Sequence, residues 1–127
     1  MSKKRKIFLG ILALLIIIQF FGIDKTPPPS VAGNDFIELE KPPQQVATLL
    51  KNACYDCHSH QTKFPWYTNI QPLGWWIRGH IRGGRINLNF SEWGTYDGKK
   101  KAHKTEEMVE EIMDKHMPLK SYVWLHP

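Results

Sequence analysis

Residues Cys54-Tyr55-Asp56-Cys57-His58 hold both cysteines of the chain and a histidine that directly follows the second one. The spacing C-x-x-C-H is typical of a site where a c-type haem is attached covalently. If the stretch is helical, Cys54 and Cys57 lie on one face, where two thiols can each reach a vinyl group of the same porphyrin. His58 follows one turn after Cys54, so its imidazole can serve as the proximal ligand of the iron. The motif therefore predicts one covalently bound haem c.

Three other uses of a C-x-x-C pair compete with haem attachment. A thioredoxin-like redox couple is expected within a βαβ pattern, and the sequence around Cys54 indicates helices and loops instead. A zinc site would need His58, His60 or a distant histidine as further ligands, because the chain has no second C-x-x-C. A disulfide between Cys54 and Cys57 is the third alternative. We favour haem and keep a zinc-binding module as an alternative.

The composition is that of one small globular domain. The chain has 127 residues, of which 42% are hydrophobic and 23% are charged. Its formal net charge is +5, but four basic residues stand together at positions 3–6, and the remaining 13 nearly balance the 12 acidic ones. A basic cluster at the N-terminus is explained by membrane topology, so we expect no nucleic acid as a partner.

Residues 7–23 read IFLGILALLIIIQFFGI, an uncharged run that would form a helix of about 25 Å, just enough to cross the hydrocarbon core. A cleaved signal peptide is the main alternative, but no small-x-small cleavage site follows the run. We therefore predict a cytoplasmic segment at 1–6 and a single transmembrane signal anchor at 7–23. This topology places the rest of the chain in the periplasm, outside the bacterial inner membrane, where paired cysteines receive haem.

The rest of the chain divides into a linker and a mostly α-helical domain. Residues 24–35 contain three consecutive prolines, which predict an extended spacer. Residues 36–127 are expected to form the haem-binding domain, with three main helices. Their apolar stripes are Val46, Leu49, Leu50, Ala53 and Cys57; Leu73, Trp76, Ile77, His80 and Ile81; and Met108, Ile112 and Met113.

The ends of these helices follow from capping and helix-breaking residues. The second helix is expected to end at Gly83-Gly84. The third is expected to begin at Thr105 and to end before Pro118. Residues 87–101 between them read as a loop, and its lysine run at 99–101 reads as a solvated surface rather than a docking patch.

Further candidate haem contacts lie outside the motif. Trp66 and Trp76 belong to aromatic clusters, and large aromatic rings would cover the edge of a flat apolar disc. Met117 precedes a proline in a non-helical loop, so its thioether is our candidate for the distal ligand of the iron. His116 and His80 are the alternatives for that position.

The chain resembles the bacterial haem-binding domain family, a cytochrome-c-like module, over about residues 36–127. The stretches that carry the resemblance are LKNACYDCHS at 50–59, FPWY at 64–67, NFSEW at 89–93 and MPL at 117–119. The resemblance implies a compact helical domain with Cys54 and Cys57 as attachment sites, His58 as proximal ligand and Met117 as distal ligand. Members of the family usually have a further helix after the methionine loop, for which the end of this chain leaves no room.

These observations predict a membrane-anchored monohaem cytochrome that carries single electrons to and from redox partner proteins. Two axial ligands leave no open position on the iron, so we expect no enzymatic activity and assign no catalytic residue. A haem-based sensor or gas-binding module is the alternative, and it would need Met117 to be absent or easily displaced. A peroxidase-like enzyme is less favoured because the sequence shows no acid–base constellation. A domain of about 90 residues buries little surface, so a covalent haem is expected to complete its core.

Overall fold

The computed structural model describes residues 1–126, so Pro127, the last residue of the expected domain, lies outside the described residues. This part of the chain is mostly helical, as the sequence predicted. Its α-helices are α1 (Lys3–Ile18), α2 (Phe36–Glu40), α3 (Gln44–Ala53), α4 (Tyr55–His58), α5 (Leu73–Asn87), α6 (Gly98–Met113) and α7 (Lys120–Leu125). Two 3-10 helices, Trp66–Asn69 and Phe90–Thr95, lie on either side of α5 in the sequence.

The transmembrane helix predicted over residues 7–23 is wrong, and so is the single-pass inner-membrane localisation inferred from it. Of the helices in residues 1–126, none combines the length and the apolar character that crossing a membrane requires. Helix α1 begins with four charged residues, which leaves about 12 apolar residues or roughly 18 Å of helix. It ends at Ile18, and the next side chain, Gln19, contacts the domain. There Gln19 Nε2 donates to the carbonyl of Gln71 at 2.9 Å, and its Oε1 accepts from the Gln71 N–H at 2.9 Å.

The proline-rich segment 24–35 lies along the surface of the helical domain. Ser30 Oγ is 3.0 Å from His60 Nδ1, and the Asn34 carbonyl accepts from the Gly94 N–H at 2.9 Å. A Cβ atom on Gly94 would lie too close to the Asn34 side chain, so glycine is needed for this approach. The segment expected to act as a spacer is thus held against the domain at several points.

The main core lies beside α4 and is built from aromatic rings. Phe90 stacks on Tyr55 with ring centroids 4.9 Å apart, and Phe36 packs edge-on against Phe90 at 5.3 Å and Trp93 at 4.9 Å. Leu88 completes the buried cluster. These contacts fix α2, α4 and the 3-10 helix Phe90–Thr95 relative to one another.

The expected helix over 46–57 is divided at Cys54, where the backbone leaves regular α-helical geometry between α3 and α4. The predicted apolar stripe is only partly buried. Leu50 packs against the core, whereas Val46 and Leu49 are exposed, Leu49 at 67%. The stripe therefore predicted a helix correctly but not which of its residues face the core.

The second expected helix corresponds to α5, which does not end at Gly83-Gly84 but continues to Asn87. The glycine at 84 serves helix packing instead of helix termination. A Cβ atom there would lie 2.5 Å from the carbonyl oxygen of Cys57, whereas a Cβ on Gly83 would meet nothing within 4 Å. Helix α5 can therefore lie directly against the backbone of α4.

The stretch 87–101 is not a loop, and α6 begins at Gly98, seven residues before the expected cap at Thr105. Asp97 is the capping residue, and its Oδ1 accepts from the Lys100 N–H at 2.7 Å. Part of the lysine run contacts the core, since Lys100 Nζ lies 3.9 Å from the centre of the Tyr96 ring. The short helix α7 follows the Met117 loop, although the sequence was expected to leave no room for a helix there.

Candidate cofactor site

The three residues of the predicted attachment motif lie on one turn of the chain. Both the Cys57 N–H and the His58 N–H donate to the carbonyl of Cys54, at 3.2 and 2.9 Å. Cys54 and Cys57 are free thiols, so the structure does not support a disulfide between them. Cys54 packs against the core cluster, while Cys57 faces a cleft on the other side of α4.

The imidazole of His58 is oriented by the backbone of a distant residue. His58 Nδ1 lies 3.0 Å from the carbonyl oxygen of Leu88. A carbonyl can only accept, so Nδ1 carries the hydrogen and Nε2 keeps a lone pair for a metal ion. Burial lowers the pKa of His58, which favours the neutral form that binds iron. This carbonyl is the acceptor that an iron-ligating histidine needs, and no local pattern in the sequence identified it.

The two thiols do not have the properties of a redox couple. Burial raises the pKa of Cys54, and burial together with the Asp56 carboxylate raises the pKa of Cys57 to about 11. A thioredoxin-like couple works through a thiol whose pKa is lowered. The zinc alternative also finds no support, since within residues 1–126 no three His, Cys, Asp or Glu side chains are grouped to hold a metal ion.

Cys57 lines a cleft between α4, α5, α7 and the segment 62–67. This cleft, called the slot below, contains about 510 Å³ of empty space counted to its open mouth. Most of its walls are apolar or aromatic, as is usual for cofactor sites. The apolar and aromatic lining residues are Phe64, Pro65, Tyr67, Trp76, Ile77, Ile81, Leu119, Tyr122 and Leu125.

The cleft brings some of the other predicted site residues together with Cys57. Trp76 and His80 both line it, with their rings edge to face and 4.6 Å apart. Trp66 does not line it and is 74% exposed.

The two candidate ligands after α6 lie in different surroundings. Met117 is half-buried, and its N–H donates to the Glu111 carbonyl at 3.0 Å. Leu119, two residues later, lines the cleft, but Met117 is not among the described residues that do so. His116 is exposed and lies 3.5 Å from the Glu111 carboxylate, with which it pairs when protonated.

The structure adds residues that the sequence did not single out. Arg85 Nε donates to the Ser59 carbonyl at 2.7 Å and its Nη2 donates to Thr62 Oγ1 at 2.9 Å, which fixes the loop after His58. Asp56, between the two cysteines, binds the backbone N–H of Lys63 and the hydroxyl of Tyr122. These contacts join residues that lie far apart in the chain, so no spacing rule could have found them.

The donor set fits a haem: two free thiols and a neutral, oriented imidazole lie on one turn, and Cys57 also lines an apolar slot. Searches of the curated proteins and of the solved structures returned no match. A haem-binding domain family matches residues 13–127, which include the motif and the described lining of the cleft and begin well before the expected boundary at 36. The roles of Cys54, Cys57 and His58 stay a prediction, whereas the resemblance to the family is confirmed, and the chain belongs to the haem-binding domain family.

Proposed function

We propose that this haem-binding protein is a monohaem c-type cytochrome that carries single electrons. Cys54 and Cys57 hold the haem through thioether bonds, and His58 is the proximal ligand. The observation that carries the proposal is the contact of 3.0 Å between His58 Nδ1 and the Leu88 carbonyl, one turn from two free thiols. When bound, the haem supplies the one-electron chemistry of its iron.

The remaining residues of the site position these three side chains and exclude water. The carbonyl of Leu88 is held in place because the Leu88 N–H donates to Gly84 at 2.9 Å and the next N–H, of Asn89, donates to the Tyr96 hydroxyl at 3.0 Å. Buried Ile81 and half-buried Ile77 give the slot an apolar wall. Such a wall favours a flat apolar group over water.

Met117 is our proposed distal ligand, with His80 as the alternative. The loop that contains Met117 leads directly to Leu119, which lines the slot. A thioether and an imidazole together would fill both axial positions, which supports electron transfer rather than catalysis. The partners of such a carrier are other redox proteins, and none of the residues described here is given a catalytic role.

The covalent bond is tested by maturing the full chain in cells able to attach haem, followed by mass spectrometry. We expect the mass to increase by that of one haem, and we expect the visible spectrum to survive extraction with acidified organic solvent. The Cys54→Ser, Cys57→Ser double variant should lose this resistance, whereas Ser59→Ala, next to the motif, should keep it. Haem that can be extracted from the unaltered protein would contradict covalent attachment while leaving haem binding intact.

A haem-based sensor or gas-binding module is the second candidate, and one observation favours it: Met117 is not among the described residues that line the slot. An electron carrier with Met117 as ligand should show a weak ferric band in the far red that Met117→Ala abolishes and His80→Ala preserves. Its ferrous form should bind carbon monoxide slowly. Rapid binding of carbon monoxide to the unaltered ferrous protein would favour the sensor.

A further inference from the structure

The side chain of Tyr122 in helix α7 forms hydrogen bonds at the attachment motif. The hydroxyl oxygen of Tyr122 lies 2.8 Å from the Asn52 carbonyl and 3.0 Å from Asp56 Oδ2. Asp56 stands between the two cysteines, so this contact joins the C-terminal helix to the motif itself. A hydrogen bond to a charged acceptor is about twice as strong as one between neutral groups.

Both carboxylate oxygens of Asp56 accept hydrogen bonds: Oδ2 from the Tyr122 hydroxyl and Oδ1 from the Lys63 N–H at 2.9 Å. The backbone carbonyl of Asp56 accepts from Thr62 Oγ1 at 2.7 Å. Burial and the neighbouring Asp56 carboxylate raise the pKa of Tyr122, so its hydroxyl keeps its proton at neutral pH. Asp56 therefore connects three parts of the cleft: the motif, the segment 62–63 and α7.

Few other polar contacts hold this end of the molecule. His126 Nε2 lies 3.2 Å from the hydroxyl oxygen of Tyr67, and the His126 ring stacks on Tyr122 at 4.1 Å. Within 114–126, no other side chain forms a hydrogen bond to the chain before α6. The outer face of α7 contributes little packing, since Trp124 is 84% exposed. The Tyr122 hydroxyl thus supplies the side-chain hydrogen bonds between α7 and the motif region.

We propose that Asp56 and Tyr122 are a positioning pair that holds the Met117 loop at the haem motif. Leu119 precedes the first residue of α7 and also lines the slot, so fixing α7 limits how far Met117 can move from it. The consequence at the iron rests on the proposed function. The contact between Asp56 and Tyr122 does not, because it is made by the chain alone.

Hydrogen exchange on the full chain tests the contact independently of haem. Tyr122→Phe removes only the hydroxyl, and we expect the amides of α7 to exchange about tenfold faster. Thr95→Val is the control: it removes a hydroxyl that donates to the Glu92 carbonyl at 2.7 Å, outside the cleft, and should leave α7 unchanged. Unchanged exchange of α7 in Tyr122→Phe would overturn the proposal.

A second pair of variants identifies the acceptor. Asp56→Ala removes both carboxylate oxygens, so the Tyr122 hydroxyl loses this acceptor and keeps only the Asn52 carbonyl. Tyr122→Phe should therefore have a smaller effect in the Asp56→Ala background than in the unaltered protein. An equal effect in both backgrounds would show that Asn52 alone is the partner and would refute the role of Asp56.

The haem-loaded protein tests the consequence for Met117. Tyr122→Phe should keep the mass of one attached haem while its far-red ferric band weakens and its ferrous form binds carbon monoxide faster. Faster exchange of α7 without a change in this band would refute the positioning of Met117. Absence of attached haem in the unaltered protein would refute the proposed function instead, and the exchange experiment would still decide whether the pair exists.

Discussion

The region around α4 and the region formed by α6 and α7 are built in different ways. Around α4, Tyr55, Phe90 and Trp93 are at most 2% exposed. Phe90 stacks on Tyr55, and the Phe36 ring packs against both Phe90 and Trp93. In α6 and α7, by contrast, no described residue is fully buried. Met108 of α6 packs against the edge of the core, and individual polar and cation–π contacts, such as those of Lys100 and Tyr122, also attach these two helices to the rest.

This difference teaches which parts of the haem site the polypeptide organises alone. The side proposed to be proximal is fixed by packing, because Leu88, whose carbonyl orients His58, belongs to the buried cluster. The Met117 side depends on a few specific contacts, which can be removed one at a time. Preorganised ligands require rigid support, and the structure provides that support most completely for His58.

The largest effect is expected from removing a ring in the packed region. Phe90 is 1% exposed and stacks on Tyr55, so Phe90→Ala should lower the free energy of unfolding by about 3–5 kcal/mol. Met113→Ala in α6 is the control, since Met113 is 74% exposed and should change it by less than about 0.5 kcal/mol. Urea denaturation followed by circular dichroism measures both. Similar losses of unfolding free energy in the two variants would mean that the region around α4 is not packed more tightly than α6.

A smaller effect is expected where α5 meets the motif. Gly84→Ala places a methyl group 2.5 Å from the Cys57 carbonyl oxygen, so one of the two helices must shift at a cost of about 1–3 kcal/mol. Gly83→Ala adds the same methyl group in open space and should stabilise the helix by up to about 1 kcal/mol. The two free energies of unfolding should therefore change in opposite directions. A stabilising Gly84→Ala would show that α5 does not need this close approach.

An attachment motif could be predicted from the sequence because its chemistry lies in five consecutive residues, and it stays a prediction. The cleft could not, because its walls come from residues far apart in the chain. Leu88 is 30 positions from His58, and Tyr122 is 66 positions from Asp56. Only the fold shows which carbonyl orients the imidazole and which hydroxyl meets the carboxylate.

The errors in the sequence analysis also have physical causes. The apolar run 7–23 suggested a continuous helix, but Gln19 pairs with the backbone of Gln71 and the helix ends at Ile18. Gly83-Gly84 resembled a helix end because glycine is common there, whereas the structure uses Gly84 for contact between helices. In both cases a tertiary contact overrode a local preference.

The smallest effect is expected at the start of α6. It tests whether one polar contact stabilises the edge of the region formed by α6 and α7. Asp97 Oδ1 accepts from the Lys100 N–H at 2.7 Å, so Asp97→Ala should cost about 1 kcal/mol of unfolding free energy. Thr105 lies inside the helix and its Oγ1 donates back to the Lys101 carbonyl, so Thr105→Ala should be neutral or stabilising by a few tenths of a kcal/mol. The sequence pattern alone, with Thr105 as the cap, requires the opposite order. Urea denaturation of the two variants shows whether Asp97 or Thr105 is the capping residue. A larger loss of unfolding free energy in Asp97→Ala would mean that the lysine run belongs to α6 and can hold this helix to the core through Tyr96.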